Sequence, residues 1–207
     1  QRSLPEHPAK QPVILNVWEG VMFDHNLDRL LEIARRAARI GVERYVLDDG
    51  WFHLRRDDHA GLGDWWVDPD VWPEGLTPLV DAVHKLGMEF GLWFEPEMVN
   101  PDSDFYREHP DWVLQASNRV PILQRNQLVA DLSNPAVFDH IHDAMFKVLS
   151  AYDIDYVKWD HNRNLLEAGS QVRGGAPAVH QQTLAYYRLL DTLRAEFPHI
   201  AWESCAS

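Results

Sequence analysis

The chain has almost no cysteine: Cys205 stands alone among 207 residues. One cysteine excludes an internal disulfide and fits a reducing compartment, so a cytoplasmic location is expected. Cations are also scarce. Nineteen Lys and Arg face 32 Asp and Glu, giving a formal net charge of −13, and the basic residues form no block. A phosphate backbone requires such a block, so no nucleic-acid partner is expected. No apolar run approaches the roughly 20 residues of a membrane span, which argues against a membrane protein. The opening residues QRSLPEHPAKQP carry neither a secretion-type apolar segment nor an initiator Met. A processed or excised piece is therefore expected, with 1–11 as a linker and 12–207 as one catalytic domain. Metal-type spacing is missing too. The chain has 11 His but no His-x-x-x-His or His-x-x-Glu-His, so no metal and no other cofactor is expected.

What is present alternates between strand-like and helix-like segments. PVILNVWE (12–19), RYVLDDGW (44–51), EFGLWFEPE (89–97), QLVADL (127–132), DYVKWD (155–160) and IAWESC (200–205) read as six strands. Amphipathic helices are predicted between them. One covers 26–41, with Leu27, Leu30, Leu31, Ala34 and Ala38 as its apolar stripe and Gly41 as its stop. Others cover 77–87, capped by Thr77 with Pro78 at the first helical position, and then 133–152 and 178–198. Strands joined by helical crossovers imply a parallel sheet in an α/β fold. The long polar segments 52–76 and 98–126 read as loops that carry function.

The strand ends carry the chemistry. NVWE, LDDGW, LWFEPE, VKWDHN and WESC place charged and aromatic residues at the carboxyl ends of five strands. A TIM-type (β/α)8 barrel puts its active site there. A doubly wound sheet does so as well, but it would need a glycine-rich phosphate turn after the first strand, and none is present. The expected fold is thus an incomplete barrel of about six β/α units. Lys158 and Asp160 lie two apart on one strand and so share a face. Either they form a structural ion pair, or the ammonium keeps a nucleophilic carboxylate ionised. Asp48 and Asp49 offer acceptors to vicinal hydroxyls. With nine Trp, flat apolar ring faces are available to stack on sugars, although a large core uses the same residues.

Taken in order, VLDDGWF, LGDWWVDP, GMEFGLWFEPEMVNPDSDFYREHPDWVLQ, RNQLVADLSNP, DYVKWDHNR and ESCAS resemble the catalytic barrel of family 36 glycoside hydrolases, the bacterial α-galactosidases, from about Pro12 to Ser207. The resemblance implies retaining hydrolysis of terminal α-galactosides of the melibiose and raffinose type, without a metal. It makes Asp160 the nucleophile and gives Lys158, Asp48 and Asp49 the galactose hydroxyls. It makes Trp18 and Trp93 walls of the pocket, Arg125 and Asn162 polar contacts, and Cys205 a neighbour of the sugar. It places the acid/base in a glycine-rich region beyond Ser207 and supports neither Glu97 nor Glu203 in that part. Homo-oligomers are common in such a family. A galactosyltransferase of the raffinose-synthase kind and a galactose-binding barrel fragment without catalysis remain as alternatives.

Overall fold

The computed structural model describes residues 11–116 and 119–206; the expected linker at 1–11 lies almost wholly outside them. The chain opens with β1 (Ile14–Asn16) and a one-turn α1 (Trp18–Val21), then α2 (Leu27–Arg39) and β2 (Arg44–Leu47). α3 (Thr77–Lys85) leads into β3 (Glu89–Phe94). A long excursion follows, holding β4 (Met98–Val99), α4 (Asp104–Glu108) and β5 (Leu128–Val129). α5 (Pro135–Ala151) returns to β6 (Tyr156–Trp159). A small ribbon of β7 (Gly169–Ser170) and β8 (Ala176–Pro177) precedes α6 (Val179–Glu196) and β9 (Ala201–Ser204).

Local sequence explains the helix starts. Asn26 accepts the Arg29 N–H at 3.0 Å and Asn134 accepts the Ala136 N–H at 3.0 Å, so α2 and α5 each begin at a side-chain cap. Gly41, at φ +87°, lets the chain leave α2. At α3 the expectation is corrected: Thr77 is already helical, the preceding residue is Leu76, and no side chain caps this helix.

The main sheet has five parallel strands in the order β1-β2-β3-β6-β9, an incomplete TIM-type barrel. The sixth expected strand is not in it. Within 127–132 the strand is Leu128–Val129, which pairs antiparallel with β4, while Gln127 and Ala130 make single bridges to Gln124 and Val113. The reason is physical. A short apolar run is compatible with any buried extended segment, and periodicity cannot say which sheet will receive it. Here the run is buried by the excursion itself: Leu114 N–H donates to Val129, and Ala130 N–H to the Glu97 carbonyl. A crossover to the main sheet also needs a dozen or more residues, usually helical. Before β5 there is only the five-residue α4.

Register sorts the side chains into two faces. Tyr45, Leu47, Phe90, Leu92, Phe94, Val157 and Trp159 face outward and are buried in one core with Leu30 and Ala34 of α2 and Leu79 and Val83 of α3. The intervening residues face inward in layers. Arg44 pairs with Glu89; Val46, Gly91, Tyr156 and Ala201 form the next row; Trp93, Lys158 and Glu203 form the row above. Gly91 is required by its row. A Cβ there would stand 2.8 Å from the Tyr156 ring and 2.9 Å from Val46 Cγ2. Gly91→Val is therefore expected to destabilise the fold by at least about 1–3 kcal/mol through overpacking. The denaturation midpoint measures this, and an unchanged midpoint would contradict the packing described.

Candidate active site

The upper rows of the inward lattice lie at the carboxyl ends of the strands. Asp160 follows β6 directly. Its Oδ2 accepts from the Trp93 indole N–H at 3.1 Å and its Oδ1 from the His161 backbone N–H at 2.9 Å. Burial works against its ionisation, but the hydrogen bonds from Asn162, Trp93 and His161 outweigh it, with the Lys158 charge adding to them. Together they hold the carboxyl below its usual range. Cys205, just past β9, hydrogen-bonds the same carboxylate. Burial, and then the Asp160 charge, push its thiol upward.

Lys158 and Asp160 share a face as expected, but they are not the salt-bridged pair. The Lys158 ammonium donates to Asp48 Oδ2 at 2.9 Å. Burial alone would lower the Lys158 pKa; the Asp48 charge and hydrogen bond raise it instead, with Asp160 and Cys205 contributing. The reason is geometric. Asp48 follows Leu47, which is in register with Leu92, so it stands level with Trp93 and Lys158, across the sheet rather than along one strand. Asp48 also accepts the Asn16 side-chain amide at 2.5 Å.

The tandem acids part company. Asp48 faces inward, whereas both oxygens of Asp49 are taken by Arg55, at 2.8 and 2.7 Å. Arg55 is itself buried and also donates to the Ala60 carbonyl and Asn100 Oδ1. Burial pushes the Asp49 carboxyl upward and the guanidinium opposes it.

Behind Trp93 stands an aromatic block from the 52–76 loop. Phe52 stacks on Trp93 at 6.2 Å and 9°, and Trp65 lies 6.1 Å from it. The Trp51 indole N–H donates to the Trp93 carbonyl at 2.9 Å. That loop, expected to be polar and functional, therefore supplies core that fixes Trp93, a candidate site residue. Trp18 is half-buried in the turn after β1, edge-on to Phe23 at 5.1 Å. Arg125 is exposed. It and Asn126 have φ of +54° and +59° between the bridged pair Gln124 and Gln127, the geometry of a two-residue type I′ hairpin turn. Gln127, two residues further on, touches Glu95.

Two further acids follow β3 at the same end of the sheet, Glu95 level with Asp160. Glu95 is buried, its Oε1 accepting the Asn162 N–H at 2.6 Å and its Oε2 the Gln127 amide at 3.1 Å. Glu97 accepts from the Trp159 indole at 3.1 Å and meets His161 Nδ1 at 3.2 Å. The Glu97 hydrogen bond outweighs burial and raises His161 above its usual value. Among the described residues one group of metal-ligand type converges, Asp57, Asp58 and His59, and it lies exposed on the 52–76 loop.

A parallel barrel sheet that brings an ionised carboxylate, a lysine, an indole and a thiol together at its strand ends has the layout of a barrel enzyme's catalytic centre. Comparison with known proteins agrees. The family model described as Melibiase matches residues 6–207, and the chain belongs to that family. The chain is 51% identical over 203 residues to an α-galactosidase of Escherichia coli, a match that spans 98% of this chain and 28% of that protein. A crystal structure of the GH36 α-galactosidase AgaA from Geobacillus stearothermophilus superposes with a TM-score of 0.91 at 45% identity. It covers 96% of this chain and 28% of its own. A raffinose complex of an AgaA variant superposes equally, with a TM-score of 0.91 and the same identity and coverage. The chain thus spans somewhat over a quarter of the length of the relatives it matches. Among the described residues no helix is long and apolar enough to cross a membrane.

Proposed function

We propose that this chain forms the nucleophile-bearing part of a retaining α-galactosidase acting on oligosaccharides of the raffinose and melibiose type. The observation that carries the reading is Asp160: a carboxylate held ionised by three hydrogen bonds at a strand end, with Lys158 beside it. An ionised carboxylate placed there stabilises a positively charged oxocarbenium-like transition state before any bond forms. It then attacks the anomeric carbon to give a β-galactosyl ester as the aglycone leaves. Lys158 and Asp48, bridged to each other, present a donor and acceptors to sugar hydroxyls, and Trp93 offers a ring face. Trp18 and Arg125 stand on the surrounding loops, and Asn162 and Cys205 touch the nucleophile. Asp49 acts more through Arg55 than by direct contact.

A retaining enzyme also needs a second carboxyl about 5–5.5 Å from the first to protonate the leaving oxygen. The described acids around Asp160 have partners: Asp48 with Lys158, Asp49 with Arg55, Glu95 with Asn162, Glu97 with Trp159, and Glu203 with the Tyr156 hydroxyl. The resemblance to family 36 enzymes implies that the proton donor is supplied by a part of the full-length protein outside these residues. The isolated 207-residue chain should then release no nitrophenol from nitrophenyl α-galactoside. Robust turnover would require an acid among the residues just named.

The reading is tested on the full-length protein by following melibiose with NMR. Retention gives α-galactose as the first product, with the β-anomer arising only by mutarotation. β-Galactose as first product would overturn the covalent route. Adding sucrose separates water from sugar as the acceptor, since a transferase would accumulate raffinose-type product. The single cysteine supports a reducing, cytoplasmic setting.

A further inference from the structure

The inference rests on the proposed role of Asp160 and concerns the residue behind it. Glu95 is 1% exposed and joins three segments. It ends the β3 side of the site, holds the backbone of Asn162 after β6, and receives Gln127 from the hairpin that bears Arg125. Asn162 in turn hydrogen-bonds Asp160 through its side chain. We propose that Glu95 is a positioning residue for Asp160: its carboxyl fixes the Asn162 backbone so that the Asn162 side chain stays on the nucleophile.

The surroundings suit a brace that carries no charge. The ionisable groups facing Glu95 are Asp160 after β6, Asp49 and Arg55 from the β2 end, and His161 beside Asp160. Burial pushes the Glu95 carboxyl up to about 8. Asp160 and Asp49 add to this, and the Asn162 N–H and Arg55 oppose it. Below that pH Glu95 holds Asn162 without placing a second negative charge beside the nucleophile. Gln127 fits the same picture. Its Oε1 is buried and has no partner. Turning the amide by half a revolution exchanges its oxygen and nitrogen, and the Glu95 hydroxyl then donates to that oxygen.

The test uses the full-length enzyme and the pH profile of kcat/KM for an aryl α-galactoside, whose acid limb reports the free enzyme's ionisations. Glu95→Ala releases Asn162 and weakens a bond that favours ionised Asp160. The acid limb should move to higher pH by about 1 unit. Glu95→Gln keeps an oxygen for the Asn162 N–H and offers its NH2 to the unpartnered Gln127 oxygen, so its limb should lie close to that of the parent enzyme. An unmoved limb in Glu95→Ala, however low its Tm, would leave Glu95 a purely structural residue and overturn the proposal. So would a Glu95→Gln limb displaced as far as the alanine variant's. If Glu95→Ala does not fold, Glu95→Asp, one methylene short of Asn162, is read in the same way. The two readings come apart through Asp160→Ala. If that variant is inactive and the limb is unmoved, the brace falls alone; if it is fully active, nucleophile and brace fall together.

Discussion

Asp160→Ala in the full-length enzyme is expected to lower turnover of α-galactosides by on the order of 10⁴-fold or more while the protein stays folded. The loss follows from chemistry. On the proposed mechanism no galactosyl ester forms without the carboxylate, and the acid/base then has no partner on the opposite face of the sugar. The fold survives because the carboxylate sits among polar groups at the strand ends and no core side chain is removed. The sign of the electrostatic effect can be stated. Asp160 is held below its ordinary pKa in the folded protein. Its ionisation thus favours folding above the unfolded value, and this contribution fades as the pH falls through the folded value. A small anion should then occupy the vacated space. Azide, entering from the face of Asp160, should restore part of the turnover of an activated aryl α-galactoside and give the β-galactosyl azide. The α-azide as sole product would make Asp160 the acid/base. Near-native activity without azide would leave Asp160 a structural carboxylate.

The second large effect is on stability. Arg55 and Asp49 form a buried bidentate pair at 2.7 and 2.8 Å, with side-chain exposures of 2% and 9%. A buried ion pair is not in itself strong evidence of stability, but removing one partner leaves the other charge stranded. Arg55→Met should cost about 3–5 kcal/mol. It also removes donors to the Ala60 carbonyl and Asn100 Oδ1. Asp49→Asn alone strands the buried Arg55 charge in turn and should cost a similar amount. Combining the two should recover part of the arginine loss, and chemical denaturation of all three variants closes the cycle. If Arg55→Met unfolds at the parent midpoint, the pair does not hold the Asp48–Asp49 turn, and the site is supported elsewhere.

The sequence showed the main elements and the end of the sheet where the candidate site residues gather. Three features made them legible. The strands of the main sheet are short apolar runs between helices with clear stops, the polar residues gather at their carboxyl ends, and the motif blocks are specific to one family. The partnerships within the site were not legible. Lys158 and Asp160 are two apart in one strand, so a pairing between them was the natural reading. The actual partner, Asp48, lies across the sheet and depends on register, which a single strand does not encode. Asp48 and Asp49 looked equivalent because both are acids in one turn. Their different directions emerge only when Arg55 folds back from the following loop. Glu95 and Gln127 carried a faint signal: a charged residue after LWF, and a glutamine opening an apolar run. The misplaced strand at 127–132 has the same origin, since burial is visible in composition and the identity of the burying partner is not.

The strand order β1-β2-β3-β6-β9 is also the order in which the strands are made. Each newly synthesised strand can dock on the edge left by the one before, so the sheet can grow on the ribosome without inserting a strand between two already paired. The longest pause separates β3 from β6, residues 94 to 156. At ~5–20 residues per second this is roughly 3–12 s during which β3 is an open edge. That edge includes Gly91, whose missing side chain leaves the inner face bare until Tyr156 covers it. Nascent chains arrested in this interval should therefore be the ones most readily captured by chaperones or by one another. Ribosome-bound intermediates ending before β6 should prove more sensitive to protease than those ending after it.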